Sequence, residues 1–103
     1  MVTRGEIWWY EPQHENRRPY VILTRPEACT VLNQVIAIPL TRTVRGIPTE
    51  VGLGRADGLP SECVAALDNM TLIRPALCTE KITTLDDRRM QEICTAMGHA
   101  VDC

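Results

Sequence analysis

The sequence has little of what most metal-dependent and nucleophilic catalytic sites require. It contains only two histidines, His14 and His99, and neither an H-E-x-x-H motif nor a C-x-x-C pair occurs. A zinc protease site and a zinc ribbon are therefore not indicated. The G-x-x-x-x-G-K-[ST] loop of phosphate-binding enzymes is also missing, and a serine–histidine triad is not expected. The sequence predicts no metal site and no cofactor.

Long apolar runs are absent as well. No stretch approaches the about 20 apolar residues of a membrane helix, and Arg4 and Glu6 interrupt the start before the apolar region of a secretory leader forms. The cysteines are odd in number, which argues against a disulfide framework; they are Cys29, Cys63, Cys78, Cys94 and Cys103. We expect a cytoplasmic protein with reduced thiols.

Length and charge set the next limits. A chain of 103 residues predicts a single domain over residues 1–103. The net charge is −2, so the molecule as a whole lacks a basic field. The segment Arg17–Arg45, however, carries five arginines and one acid, Glu27, whereas residues 61–103 carry four basic and seven acidic residues. This asymmetry predicts one basic face on an acidic protein, and a solvated loop face is the alternative.

Short β-rich segments fill the first three quarters of the sequence, separated by turns rich in proline, glycine, asparagine and aspartate. This spacing is typical of a small barrel or sandwich. Trp8 and Trp9 are neighbours on the first strand, so one of them is expected to face outward. The predicted strands are Glu6–Tyr10, Tyr20–Thr24, Val31–Leu40, Thr49–Gly52, Cys63–Leu67 and Thr71–Ile73.

A helical pattern replaces the strand pattern after Leu85. Thr84 followed by Asp87 predicts an N-terminal cap, because a hydroxyl and a carboxylate can each accept from a free backbone N–H. The fold class predicted is therefore mainly β with one amphipathic C-terminal helix. The apolar positions that form its stripe are Met90, Ile93, Cys94, Met97, Ala100 and Val101.

Two polar segments carry the candidate functional residues. Glu15–Pro19 ends a loop and leads into a strand, where an arginine presents a rigid fork of donors that suits phosphate. Pro39–Thr43 follows the longest predicted strand, where a threonine hydroxyl and an arginine can hold an anion. The alternatives are structural: an arginine whose stem packs on the surface, and a turn in which the hydroxyl bonds its own backbone.

Six segments, taken together and in order, resemble the MazF/PemK family of endoribonuclease toxins, and the resemblance covers nearly the whole chain. Cys63 stands where the family usually has serine, and the loop Glu11–Arg17 is short for the family. The matching segments are Arg4–Trp8, Arg17–Leu23, Val35–Thr41, Ile47–Val51, Cys63–Met70 and Thr79–Asp86.

The resemblance implies a fold and a biological role. The fold is an SH3-like small β-barrel of the PemK/CcdB type, built as a homodimer. The role is the toxin of a type II toxin–antitoxin system, neutralised by a cognate MazE-like antitoxin. The implied activity is sequence-specific, metal-independent cleavage of single-stranded RNA, which leaves 2′,3′-cyclic phosphate and 5′-hydroxyl ends.

The resemblance also assigns catalytic roles. Arg18 and Thr41 match the family's catalytic arginine and threonine. Because arginine keeps its proton, Arg18 is expected to stabilise charge on the phosphate while Thr41 donates a hydrogen bond to it. Glu15 matches a position that bears glutamate in several relatives and is the candidate proton carrier.

Four further residues are candidates for binding RNA. Arg17 and Arg42 are expected to act by charge, and Asp68 and Asn69 by contacting the bases of the single strand. The alternative for Asp68 and Asn69 is that they only form the turn into Thr71.

Two other functions are compatible with the same fold. One is a poison of DNA gyrase, but that branch acts through a tryptophan near its C-terminus and residues 98–103 contain none. The other is a barrel that binds RNA or protein without cutting it, against which the presence of both Arg18 and Thr41 counts.

Overall fold

Seven strands and one long C-terminal helix dominate residues 1–101, the part of the chain that the computed structural model describes. The strands are β1 Glu6–Tyr10, β2 Arg18–Ile22, β3 Val35–Thr41, β4 Glu50–Leu53, β5 Cys63–Ala66, β6 Thr71–Ile73 and β7 Cys78–Thr84. The α-helices are α1 Pro26–Cys29 and α2 Asp87–Ala100, and single 3-10 turns cover Arg55–Asp57, Leu67–Asn69 and Pro75–Leu77.

The strands form one antiparallel, curled sheet in which β3 is the central strand. The hydrogen-bonded order is β4-β5-β3-β2-β1-β7, and β6 pairs with the first half of β3. The far end of β3 pairs with β5, through Leu40 opposite Ala65. Within residues 1–101 the outer strands β4 and β7 do not pair with each other, so the barrel-like sheet is not closed. The predicted fold class, mainly β with a C-terminal helix, is confirmed.

The central part of the sheet is buried on both faces, whereas the side chains of β7 are exposed or half-buried. Because successive strand residues point to opposite faces, the neighbours Ala37 and Ile38 are both fully buried but belong to different apolar clusters. The larger cluster includes Ile38 and Ile93 and lies under α2. The smaller cluster includes Ala37 and Cys29 and lies beneath α1. This double coverage explains why the strand segments read as aliphatic runs.

The predicted C-terminal helix is confirmed, but its predicted cap is wrong. Asp86, not Thr84, is the N-cap residue, and its carboxylate accepts a hydrogen bond of 2.9 Å from the backbone N–H of Arg89. Thr84 is the last residue of β7 and is paired with Glu6 of β1. A residue whose backbone belongs to the sheet cannot also start the helix.

Several strand boundaries differ from the prediction, and the strand expected over Tyr20–Thr24 lies two residues earlier, at Arg18–Ile22. The strand expected over Val31–Leu40 begins only at Val35, because the N–H groups of Val31 and Leu32 both bond to the Ala28 carbonyl and close α1. Segment Thr79–Asp86, interpreted only as the lead into the last helix, is mostly strand β7.

Two features of the described chain concern membrane helices and thiols. No helix within residues 1–101 is long and apolar enough to span a bilayer. The cysteines of the described chain, at positions 29, 63, 78 and 94, are free. Cys103 lies outside the described residues.

Candidate functional site

A pocket of about 250 Å³ opens where β2 begins and β3 ends. Three arginines line it, and among residues 1–101 no carboxylate does. Four of the residues predicted from sequence lie here, namely Arg17, Arg18, Thr41 and Arg42. The rest of the wall is Trp9, Pro19, Leu40, Leu59, Pro60, Ser61, Cys63 and Ile82. We call this site the arginine pocket.

Strand register brings the two catalytic candidates together. β2 and β3 are antiparallel, and Tyr20 lies opposite Pro39. The same register, continued by two residues in each strand, sets Arg18 opposite Thr41. Antiparallel strands place the start of one beside the end of the next. Two residues far apart in sequence therefore share one edge of the sheet.

Arg18 is free to bind an anion. Its side chain is exposed, and within the described chain it makes neither a hydrogen bond nor an ion pair. Arg42 is in the same state. A guanidinium without a protein acceptor keeps all of its N–H donors available, and its planar fork matches two oxygens of a phosphate.

Arg17 is held by an aromatic ring. The central carbon of its guanidinium lies 4.0 Å from the ring centroid of Trp9. A second, looser contact joins Arg17 to Glu11 at 3.7 Å, between exposed groups. The stacking orders the guanidinium at the pocket wall while leaving its charge in place. Trp9 was not predicted as part of the site; its signal was its position on β1, where it pairs with Pro19 next to Arg18.

The neighbouring tryptophan serves a structural purpose. Trp8 points away from the arginine pocket, packs against the smaller apolar cluster and donates a hydrogen bond of 3.0 Å to Glu6. Both indoles are half-buried, so neither ring is fully exposed. Trp9 is the one that faces outward, in the wall of the arginine pocket. Alternation along β1 separates the two roles.

The hydroxyl of Thr41 is oriented by the backbone. Its oxygen accepts a hydrogen bond of 3.1 Å from the N–H of Thr43. The structural alternative, a turn in which the hydroxyl bonds its own backbone, is therefore present. That bond uses a lone pair and not the hydroxyl proton, so Thr41 can still donate into the pocket.

Glu15 lies outside the arginine pocket. It borders a separate cavity of about 380 Å³ together with His14, Tyr10 and Tyr20. Arg18 lines both cavities and so stands between Glu15 and Thr41. Burial raises the pKa of Tyr20, and the positive charge of Arg18 opposes that rise.

Asp68 and Asn69 are also outside the arginine pocket. They belong to the 3-10 turn Leu67–Asn69 that follows β5. The carboxylate of Asp68 accepts a hydrogen bond of 2.6 Å from the hydroxyl of Thr49. These positions agree with the alternative in which Asp68 and Asn69 form the turn into Thr71.

Cys63 lies in the wall at the position where the resemblance expected serine. Burial raises the pKa of its thiol, the nearby carboxylate of Glu62 raises it further, and Arg42 opposes the rise. The thiol is therefore neutral at pH 7 and only a weak hydrogen-bond donor. Across the described residues, no three histidine, cysteine, aspartate or glutamate side chains are grouped as metal ligands.

Comparison with known proteins identifies related sequences along the full chain. The family of PemK-like, MazF-like toxins of type II toxin–antitoxin systems matches residues 3–101. A probable endoribonuclease of Mycobacterium tuberculosis H37Rv, MazF5, is 39% identical over 104 residues, covering 100% of this chain and 95% of the relative. Another from the same strain, MazF2, is 31% identical and covers 99% of this chain and 100% of the relative.

Solved structures of related proteins have the same fold as this chain. The Mycobacterium tuberculosis toxin MazF-mt6 superposes with a TM-score of 0.86 at 31% identity, covering 94% of this chain and 96% of that one. A mycobacterial endoribonuclease solved with its cognate antitoxin has the same fold, with a TM-score of 0.86 at 24% identity and coverages of 98% and 95%. The chain therefore belongs to the PemK-like, MazF-like toxin family of type II toxin–antitoxin systems.

Proposed function

We propose that this protein is an endoribonuclease toxin that cleaves single-stranded RNA at specific sequences without a metal ion. The observation that carries the proposal is the arginine pocket, which three guanidinium groups and the Thr41 hydroxyl line and to which no carboxylate of residues 1–101 contributes. Such a lining attracts a phosphodiester and repels no part of it. The relatives named as endoribonucleases, MazF5 and MazF2, support the same activity.

The proposed reaction is an internal transesterification. The 2′-oxygen of the RNA forms a bond to the adjacent phosphorus, and the bond from phosphorus to the 5′-oxygen breaks. The products carry a 2′,3′-cyclic phosphate and a 5′-hydroxyl. Negative charge grows on the non-bridging oxygens in the transition state, where Arg18 donates through its fork and Thr41 through its hydroxyl. Preorganised donors of this kind lower the barrier most when they are already ordered in the free protein.

Two protons must also move. One leaves the 2′-hydroxyl, and one arrives at the departing 5′-oxygen. Arginine, with a pKa above about 12, is a poor carrier of either. Glu15 borders the cavity on the far side of Arg18, so we assign one of the two proton transfers to Glu15.

The wall of the pocket favours single strands. Trp9 and the guanidinium stacked on it form a flat surface beside Arg18, on which an unpaired base can stack. Arg17 and Arg42 supply charge to the phosphates on either side of the cleaved one. Asp68 and Asn69, which lie outside the arginine pocket, are left with contacts to more distant nucleotides.

The proposed partners are a second copy of the chain and an antitoxin. Aliphatic side chains lie exposed on and beside the paired strands β3 and β6, and a contiguous apolar surface of this kind suits a subunit contact. They are Val31, Leu32, Ile36 and Leu72. Related MazF toxins were solved with their antitoxins, which supports a MazE-like partner here. An RNA substrate and such a partner support a cytoplasmic location, which is part of the proposal.

The test is cleavage of a long single-stranded RNA in EDTA. Sedimentation first checks that the pure, antitoxin-free protein is a dimer at micromolar concentration. We expect wild type to cut at a recurrent short sequence and to leave cyclic phosphate ends. Arg18→Ala should cut about a hundredfold more slowly, the cost of one lost oxyanion donor. Arg88→Ala, which removes an exposed arginine of α2, is the matched control.

Three results would contradict the proposal. The active site is wrong if Arg18→Ala cuts as fast as wild type. The metal-free mechanism is wrong if EDTA abolishes cutting that magnesium restores. Failure of the folded protein to cut any of several RNAs would favour a binding protein, and a gyrase assay would come next.

A further inference from the structure

A third cavity adjoins the arginine pocket and shares no residue with the cavity that Glu15 borders. It has a volume of about 510 Å³ and shares Arg42 and Cys63 with the arginine pocket. Its own wall includes Val44, Gly54 and Glu62. Arg18 marks one border of the arginine pocket and Arg42 the other, so an RNA strand that passes Arg18 and Arg42 continues into this cavity.

The carboxylate of Glu62 lies against the backbone of Gly54 in this cavity. A Cβ atom at Gly54 would lie 1.8 Å from Oε2 of Glu62, so the glycine leaves room for the side-chain position seen here. Within residues 1–101 Glu62 makes no hydrogen bond and no ion pair. Its acceptor oxygens are therefore available to a ligand.

Glu62 and Arg42, which carry opposite charges, line the same cavity as Cys63. Both charges act on the thiol of Cys63. Burial raises the pKa of this thiol, the carboxylate of Glu62 raises it further and the guanidinium of Arg42 lowers it. Arg89 and Asp57, the other charged residues that line this cavity, are paired with each other at 2.8 Å. A phosphate entering this region therefore meets attraction at Arg42 and repulsion at Glu62, so we assign a base and not the backbone to Glu62.

A carboxylate distinguishes between bases because it accepts hydrogen bonds and has none to donate. Its two oxygens only accept hydrogen bonds. The Watson–Crick edge of guanine presents two adjacent donors, N1–H and N2–H. Adenine and cytosine each present one amino donor beside a ring nitrogen that, like the carboxylate, only accepts hydrogen bonds. Uracil presents one N–H donor between two carbonyl oxygens. Guanine is the base whose exposed edge matches the carboxylate at both oxygens.

We propose that Glu62 is a specificity-determining residue that reads a guanine next to the nucleotide held in the arginine pocket, while Arg42 binds the phosphate between them. This inference rests on the proposed endoribonuclease function and adds to it the identity of one base in the recognised sequence. Gly54 contributes by leaving the space that the carboxylate occupies.

The first experiment compares cleavage of a random RNA pool by wild type, Glu62→Gln and Glu80→Gln. Glu80 is an exposed carboxylate of β7 that lines neither cavity, so Glu80→Gln controls for loss of one negative charge. Wild type and the control should show guanine enriched at one position beside the cut. Glu62→Gln should continue to cut while that enrichment falls about tenfold, the usual discrimination of a paired base contact.

The second experiment measures binding without cleavage. A random pool of 2′-fluoro RNA lacks the attacking hydroxyl, so its bound fraction reports base preference even if the protein cuts nothing. Within a selected sequence, inosine in place of guanine removes the N2 donor. Wild type should bind the inosine RNA about fivefold more weakly, and Glu62→Gln should bind both RNAs equally.

The two experiments separate this inference from the proposed function. If Glu62→Gln retains the guanine preference of wild type, the proposed role of Glu62 is wrong. A wild type that prefers another base at both positions beside the cut also overturns it. Guanine preference in the 2′-fluoro pool, together with no cleavage of the unmodified RNA pool, would retain the base reading and overturn the nuclease.

Discussion

Thr41 combines a turn contact with a place in the wall of the arginine pocket. Its oxygen is occupied by the N–H of Thr43, which fixes the rotamer without using the hydroxyl proton. Sequence reasoning treated the turn and the anion contact as alternatives, whereas the geometry permits both. The reason is that a hydroxyl can accept and donate at once.

A substitution at Thr41 separates these two functions. Thr41→Val removes the donor while keeping the side-chain shape, so we expect RNA cleavage under single-turnover conditions to slow by about a hundredfold. Thr41→Ser keeps both hydrogen bonds and should retain most of the activity. Thermal unfolding of the two variants should differ little, since the bond to Thr43 is exposed. Equal cleavage by Thr41→Val and wild type would remove Thr41 from the mechanism.

At the scale of elements, an ion-pair network joins α2 to the wall of the arginine pocket. Arg89 of α2 binds Asp57 at 2.8 Å and Glu92 at 2.9 Å. Asp57 also accepts from the N–H of Gly54 at 2.9 Å, which closes the 3-10 turn Arg55–Asp57. The network therefore fixes the turn from which the segment Leu59–Ser61 enters the pocket wall.

Removal of Arg89 should destabilise the fold. Arg89→Met leaves the mostly buried carboxylate of Asp57 without its partner, so the free energy of unfolding should fall by about 1–3 kcal/mol. Urea unfolding, followed by tryptophan fluorescence, measures the change. Arg88→Met alters an exposed neighbour on α2 and should stay within about 0.5 kcal/mol of wild type. Equal effects of the two substitutions would contradict a structural role for the network.

Strands and helices differ in how clearly their sequences predict them. The stripe from Met90 to Ala100 follows the helical period, and α2 lies where the pattern placed it. Val101, the last residue of the predicted stripe, follows the helix and is exposed. Strand β7 was missed because most of its side chains are exposed or half-buried, so no apolar alternation marks it. β7 is instead defined by its partner, since it pairs along the whole of β1. Such pairing is a long-range property that no local window contains.

At the scale of the whole molecule, two carboxylates make stability depend on pH. Burial alone would raise the pKa of Glu6, but hydrogen bonds from Trp8 and Thr3, with Lys81, lower it below its ordinary value of 4.5. Burial would likewise raise the pKa of Asp57, but Arg89 and the Gly54 N–H lower it below 3.8. A lowered folded pKa means that the unfolded chain binds protons first as the pH falls.

The free energy of unfolding should therefore decrease in acid. The contribution of each carboxylate is complete above its unfolded pKa of about 4 and is lost as the pH falls through the lower folded pKa. Urea unfolding between pH 7 and pH 2.5 should show a decline below about pH 4, shallower for Glu6→Gln and Asp57→Asn than for wild type. Glu80→Gln is the matched control. Variant curves parallel to that of wild type would refute the assignment.

The sequence by itself determined the alternation of β-rich segments, the closing helix, the basic stretch Arg17–Arg45 and the ordered segments typical of the toxin family. These are local properties, which periodicity, turn residues and charge express directly. Tertiary structure decided which side chains meet: the β2–β3 register joined Arg18 to Thr41, placed Glu15 in a neighbouring cavity and left Asp68 bonded to Thr49. Strand register and packing depend on partners distant in sequence, and they alone set distances between functional groups.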